Sequence, residues 1–139
     1  MKPDILDSSA WLECLDDGPN TVHFGPVLLK LPDLLIPSIV ITEVRKVALK
    51  QRPPAKADEV TQAMRSGIVI PIDEEIAISA AALFIKHKLP LADSLIYAIT
   101  LAHKATLWTQ DDDFEGLPHV RYFPKIKLRP TNSRRFARP

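Results

Sequence analysis

Five carboxylates sit where strands end or helices begin, and their types point to one chemistry. Asp7 closes the apolar run Ile5-Leu6, and Glu43 lies about a turn beyond Leu34-Leu35-Ile36-Pro37. Asp93 follows Pro90-Leu91, while Asp111 and Asp113 come directly after Trp108-Thr109. Taken singly, each has an ordinary structural explanation: acids favour helix N-termini, and Asp111-Asp112-Asp113 reads as a solvated turn. Gathered at one edge of a sheet, they repel one another and retain protons unless a cation compensates them. An oxygen-only donor set without paired histidines suits Mg²⁺ or Mn²⁺ rather than zinc. Such ions activate water and offset the charge of a leaving oxygen, which is the chemistry of phosphodiester hydrolysis.

The elements that must position these acids can be read from apolar runs and breakers. Strands are expected at Ile5-Leu6, Leu34 to Pro37, Ile68 to Ile72, Thr106 to Thr109 and Val120 to Phe123. Helices are expected from Ala10 to Leu15 with Ser8-Ser9 as the cap, around Val27 to Leu31, and from Ile39 to Lys50 with Ser38 as the cap. A further helix over Ala55 to Arg65 is closed by Gly67. Asp73-Glu74-Glu75 opens another that ends in Lys86-His87-Lys88, its acids and bases complementing the helix dipole. The last runs from Leu91 to His103, with Ala92, Leu95, Ile96, Ile99 and Ala102 on one face. Strand–helix alternation with continuous apolar strands predicts an α/β fold: three layers, α/β/α, around a mostly parallel sheet. In such sheets sites form beyond the carboxyl ends of the strands, where these acids fall.

At 139 residues the chain is one domain's worth of material. Its 46% hydrophobic and 25% charged residues exclude a disordered chain, and its single cysteine excludes a disulfide scaffold. No apolar run long enough to span a bilayer occurs, and none follows Met1-Lys2-Pro3-Asp4, so a soluble, cytoplasmic chain is expected. The net charge of +1 conceals an asymmetry. From His119 to Pro139 there are seven basic residues and no acid, leaving 11 basic residues against all 17 acids before them. Residues 1–124 are therefore read as the folded domain and 125–139 as a basic, flexible tail. Its charge suits sequence-independent attraction to phosphate, or simply a solubilising terminus.

Four segments carry a family resemblance. Ile5-Leu6-Asp7-Ser8-Ser9-Ala10, Ile41-Thr42-Glu43-Val44, Leu91-Ala92-Asp93-Ser94-Leu95-Ile96 and Thr109-Gln110-Asp111-Asp112-Asp113-Phe114 resemble, in order, the motifs of PIN-domain nucleases. The VapC-type toxins of toxin–antitoxin pairs are the best match. The resemblance implies a metal site of Asp7, Glu43, Asp93 and Asp111, with Asp7 and Asp93 as the most direct ligands. Asp113 is then a supporting acid, and Ser9 and Thr109 are hydroxyls that hold the carboxylates or water. It also implies a homodimer, Mg²⁺-dependent cleavage of RNA (Mn²⁺ substituting), and an antitoxin whose C-terminal segment blocks the site. The stretch between Cys14 and Leu34 looks short for the two helices many members carry there. The segment beyond Lys125 has no counterpart in the motif pattern.

The remaining residues offer little competing chemistry. His23, His87, His103 and His119 are dispersed without metal-ligand spacing, and Cys14, Trp11 and Trp108 read as core. Lys86 and Lys88 are possible RNA-phosphate contacts, or only a helix terminus. GxGxxG and GxxxxGK[ST] are absent, which removes the main support for dinucleotide and P-loop readings. A phosphoaspartyl mechanism of the haloacid dehalogenase kind needs a second aspartate where Ser9 stands. Two rivals stay open: an RNA-binding module without catalysis, and a nuclease of RNA processing outside any toxin pair.

Overall fold

Short apolar runs between caps and breakers build a sheet whose carboxyl edge collects the acids. A computed structural model of the chain describes residues 2–127. Five strands, β1 (Asp4–Leu6), β2 (Leu35–Pro37), β3 (Ile68–Ile70), β4 (Thr106–Thr109) and β5 (Val120–Tyr122), form one sheet in the order β3-β2-β1-β4-β5. Every pairing is parallel, with Ile5 beside both Leu35 and Leu107. Six helices flank it: α1 (Ser8–Leu15), α2 (Thr21–Leu28), α3 (Ser38–Gln51), α4 (Pro54–Arg65), α5 (Glu74–His87) and α6 (Leu91–Ala102). The expected α/β architecture with a mostly parallel central sheet is the one found.

The chain winds from β1 through β2 to β3, then crosses back over β1 to β4. The direction of strand order thus reverses between β1 and β4, and a crevice at the carboxyl ends of two such strands is where open sheets bind ligands. Ile5, Leu6, Ile36 and Leu107 are fully buried in the middle of the core.

Several local expectations are corrected. Ser8 and Ser9 do not precede α1 but open it, because Asp7 is the cap: its carboxylate accepts from the Ala10 N–H at 3.0 Å. The helix expected around Val27 to Leu31 instead spans Thr21–Leu28, drawn early by burial of Phe24 and Val27. A 3₁₀ turn over Leu31–Asp33 follows it. Ser38 is the first residue of α3 rather than its cap, a place taken by Pro37 without a side-chain bond. Strand β3 stops at Ile70, short of Ile72.

Helix α6 is buried almost all round, not along one stripe. Ser94, Tyr97, Ala98 and Thr100 are buried with Ile96 and Ile99, while Ala102 is exposed. Its hydroxyls tolerate this by bonding their own helix, Ser94 Oγ to Leu91 O at 2.6 Å and Thr100 Oγ1 to Ile96 O at 2.9 Å. Trp11 is core as expected, whereas Trp108 is half-buried and donates Nε1–H to Asp4 at 2.9 Å. Cys14 is likewise half-buried. Of the expected tail 125–139, residues 128–139 lie outside the described residues.

Gly67 does not close α4, whose C-terminal cap is Ser66. It is needed for space: a Cβ there would lie 2.8 Å from both Ile36 Cγ1 and the Leu34 carbonyl oxygen. Gly67→Ala is therefore expected to destabilise the fold by about 1–3 kcal/mol through overpacking against β2. Urea unfolding checks this; a midpoint equal to that of the unaltered chain contradicts it.

Candidate active site

Each acid is placed by a different element. Asp7 leaves the end of β1 and caps α1; its N–H is bound to the Trp108 carbonyl at 3.2 Å, which keeps β1 and β4 in register up to the site. Asp93 lies in the first turn of α6. Asp111 leaves β4 and caps a 3₁₀ turn, accepting from the Asp113 N–H at 3.0 Å. Glu43 projects from α3.

Two hydroxyls organise this edge. Thr109 Oγ1 donates to Asp7 Oδ2 at 2.5 Å and accepts from the Asp111 N–H at 2.9 Å. Ser9 Oγ donates to Asp7 Oδ1 at 2.7 Å, accepts from the Gln110 N–H at 3.2 Å and lies 3.3 Å from Thr109 Oγ1. Asp7 is thus held at both oxygens while buried, its relative exposure only 2%.

Carboxylate oxygens of Asp93, Asp111 and Asp113 lie within 4.8 Å of one another. Asp113, expected at the metal site as a supporting acid, is inside this group. Asp7 and Glu43 are outside it and act on Asp93 through their charges. Lys86 and Lys88 are exposed at the junction of α5 and α6.

The electrostatics of the site are those of crowded acids. Burial raises Asp7 from the usual 3.8 to about 6, against the lowering effect of the Thr109, Ser9 and Ala10 hydrogen bonds. Asp93 is pushed further, to about 8, first by burial and then by the charges of Asp111 and Asp7, a hydrogen bond with Asp111, and the charge of Glu43. Asp113 is raised by desolvation and by Asp111.

These donors fit a hard divalent cation. The close group offers oxygen only, the ligand type Mg²⁺ and Mn²⁺ take. Glu43 Oε1 is buried without a hydrogen-bond partner, an arrangement that is costly unless a cation or proton satisfies it.

The sequence and the fold are those of a known class. Residues 5–120 match the family model of the PIN domain, and the chain belongs to that family. Among solved structures, a toxin–antitoxin complex from Klebsiella pneumoniae is similar at 26% identity and a TM-score of 0.74, covering 88% of this chain and 99% of that one. DNA-bound VapBC from Salmonella typhimurium is similar at 19% identity and a TM-score of 0.69, covering 89% and 98%. VapC20 of Mycobacterium tuberculosis, a toxin described as cleaving the sarcin–ricin loop, is similar at 14% identity and a TM-score of 0.68, covering 91% and 99%. No curated protein matches the sequence significantly. The PIN-domain resemblance drawn from the four motifs is borne out, and the VapC structures share its fold.

Sequence reasoning missed the polar residues beside the acids. Asn20 read only as part of a helix stop, yet it is buried and donates Nδ2–H to Gln110 Oε1 at 3.0 Å. Gln110 Nε2 in turn reaches Glu13 Oε1 at 3.4 Å. The one available signal was the position of Gln110 inside the Thr109–Asp111 motif.

Asp7 and Asp93 both hold protons more tightly in the folded chain than in the unfolded one. Between about pH 4 and 8 the folded state therefore binds more protons, and stability falls as pH rises across that window. For Asp7 alone the loss is roughly 3 kcal/mol. Protein stripped of metal with EDTA is expected to melt at a lower temperature at pH 8 than at pH 5, followed by circular dichroism. A melting temperature that climbs over this range overturns the electrostatic account.

Proposed function

We propose that this chain is a Mg²⁺- or Mn²⁺-dependent endoribonuclease acting as the toxin of a toxin–antitoxin pair. The observation that carries the reading is the gathering of Asp93, Asp111 and Asp113 under the influence of Asp7 and Glu43, with a carboxylate oxygen of Glu43 buried unpartnered. Asp93, Asp111 and Asp113 would hold the ion most directly, with Asp7 and Glu43 completing the donor set. Bound there, a divalent cation supplies Lewis acidity toward water and phosphate oxygens.

The chain's own groups do the rest. Thr109 and Ser9 orient Asp7 by donating to both its oxygens and partly offset the effect of its burial. Asp7 and Thr109 are buried at this edge, which limits water around them and strengthens the field of the acid. Lys86 and Lys88, exposed at the end of α5, are read as phosphate contacts. A toxin–antitoxin role draws support from the Klebsiella and Salmonella neighbours, which are toxin–antitoxin assemblies. By that reading an antitoxin segment covers the site. No helix among the described residues is long and apolar enough to cross a membrane.

The homodimer has its own support. Helix α5 buries little beyond Ile76 and Ala80, while Ile78 and Ile85, two turns apart on one face, are 66% and 74% exposed. Its acidic start, Glu74-Glu75, and basic end, Lys86-His87, make the helix complementary to an antiparallel copy of itself. Ile78→Asp/Ile85→Asp is expected to convert the dimer to a monomer in sedimentation. A wild-type chain that sediments as a monomer at micromolar concentration overturns this assignment.

Asp93→Asn tests the nuclease reading. The substitution removes one of the crowded charges, so the EDTA-treated variant is expected to melt above the unaltered protein at pH 8. Cleavage of single-stranded RNA in Mg²⁺ is expected to fall by about two orders of magnitude or more, because an amide is a poor ligand for a hard cation. Undiminished cleavage by the folded variant sinks the reading. RNA binding without cleavage by the unaltered chain favours the non-catalytic module instead.

A further inference from the structure

A second feature adjoins the acids and extends beyond the four motifs into the segment leaving β5. Past Ser9 and Asp111 opens a cavity of about 490 Å³, walled on its far side by Asp112, Tyr122, Lys125 and Lys127. Its outer wall is the chain leaving β5, and that segment is fastened at several points. The Phe123 N–H bonds to the Thr109 carbonyl at 2.9 Å, so the wall is tied to the residue that orients Asp7. The Phe123 ring stacks on His23, with centroids 4.0 Å apart and planes 12° from parallel, and lies nearly parallel to the Trp108 ring at 6.1 Å.

Asn20 completes the fastening. It is 2% exposed, its Nδ2 donates to the Pro124 carbonyl at 2.9 Å and to Gln110 at 3.0 Å, and its N–H donates to Glu13 Oε2 at 2.8 Å. Burying an amide with this many partners fixes the loop before α2, the exit of β4 and the exit of β5 relative to one another. Lys125 and Lys127 are therefore presented beside the acids. Neither forms an ion pair among the described residues.

We propose that this cavity is the subsite for the nucleotide next to the cleaved phosphate, Lys125 and Lys127 taking the backbone phosphates of single-stranded RNA and the half-buried Tyr122 ring carrying a base. The chemistry matches each part. Ammonium groups attract the phosphodiester backbone without regard to sequence. An aromatic face accepts any unpaired base by stacking. Asp111, at the mouth toward the acidic group, repels phosphate from that end and leaves it to the lysines. Asn20 is a positioning residue, acting on the strand only through the chain segment it holds.

The inference rests on the nuclease reading but is tested by binding, which does not require cleavage. Full-length Asp93→Asn protein, silenced for hydrolysis on that reading, is titrated with a fluorescent single-stranded oligoribonucleotide at a series of salt concentrations. Adding Lys125→Gln and Lys127→Gln is expected to weaken binding about tenfold. The slope of log affinity against log salt should become shallower by about 1.4, the release expected for two contacts to a single strand. Tyr122→Leu should weaken binding at least fivefold, the low end for one stacked base. A matched pair of neutralised lysines elsewhere, Lys50→Gln/Lys104→Gln, controls for overall charge. Equal losses from both pairs, or an unaltered slope in the Lys125/Lys127 variant, overturn the subsite. If that variant loses affinity and slope while the natural chain cleaves no RNA, the subsite stands and the nuclease reading falls.

Discussion

Repulsion between carboxylates is the constraint around which this molecule is arranged. Asp93, Asp111 and Asp113 are packed within a few ångströms of one another, and Asp7 and Glu43 add their fields. Isolated charges so placed favour protonation, and Asp93 is pushed up to about 8. A chain that only needed to fold would not place them together. The surrounding structure has to impose the cluster, and it does so by tying each acid to a rigid element.

Those ties are few and specific. Thr109 joins the ends of β1 and β4 by donating to Asp7 while accepting from Asp111, so one hydroxyl sets the separation of two acids. Parallel pairing of Leu6 with Trp108 brings both strands to the edge at the same level. The rotation of α6, fixed by packing on nearly every side, turns Asp93 inward. The same edge continues into β5, where Asn20 and Phe123 anchor the segment bearing Lys125 and Lys127. Acidic and basic surfaces thus meet at one place because neighbouring strands end there.

Much of this was legible from residue order. The five strands, the acid-to-base polarity of α5, and the strand-end positions of Asp7 and Asp111 follow from apolar runs, helix dipoles and breakers. What went astray were caps and boundaries. Ser8 and Ser9 looked like a cap because serines often are, but Asp7 one residue earlier reaches the same N–H groups and also serves the site. Gly67 looked like a helix stop, yet its job is to let the chain pass against Ile36 and Leu34, a contact invisible without the neighbouring strand. The single apolar stripe assigned to α6 failed because the helix is enclosed by neighbours that no local pattern announces.

Taken alone, the amino-acid order determined the kinds of groups available, the α/β rhythm and the family, since propensities, caps and short motifs act over a few residues. Tertiary structure decided which of those groups meet. Asp7 and Thr109 are 102 positions apart and hydrogen-bonded only because the chain crosses back over β1 to lay down β4. It likewise decided that Asp113 sits in the close acidic group, that Asn20 grips the exit of β5, and that one face of α5 is left bare. These depend on crossovers and helix rotation, which are set by the packing of the whole core rather than by any one segment.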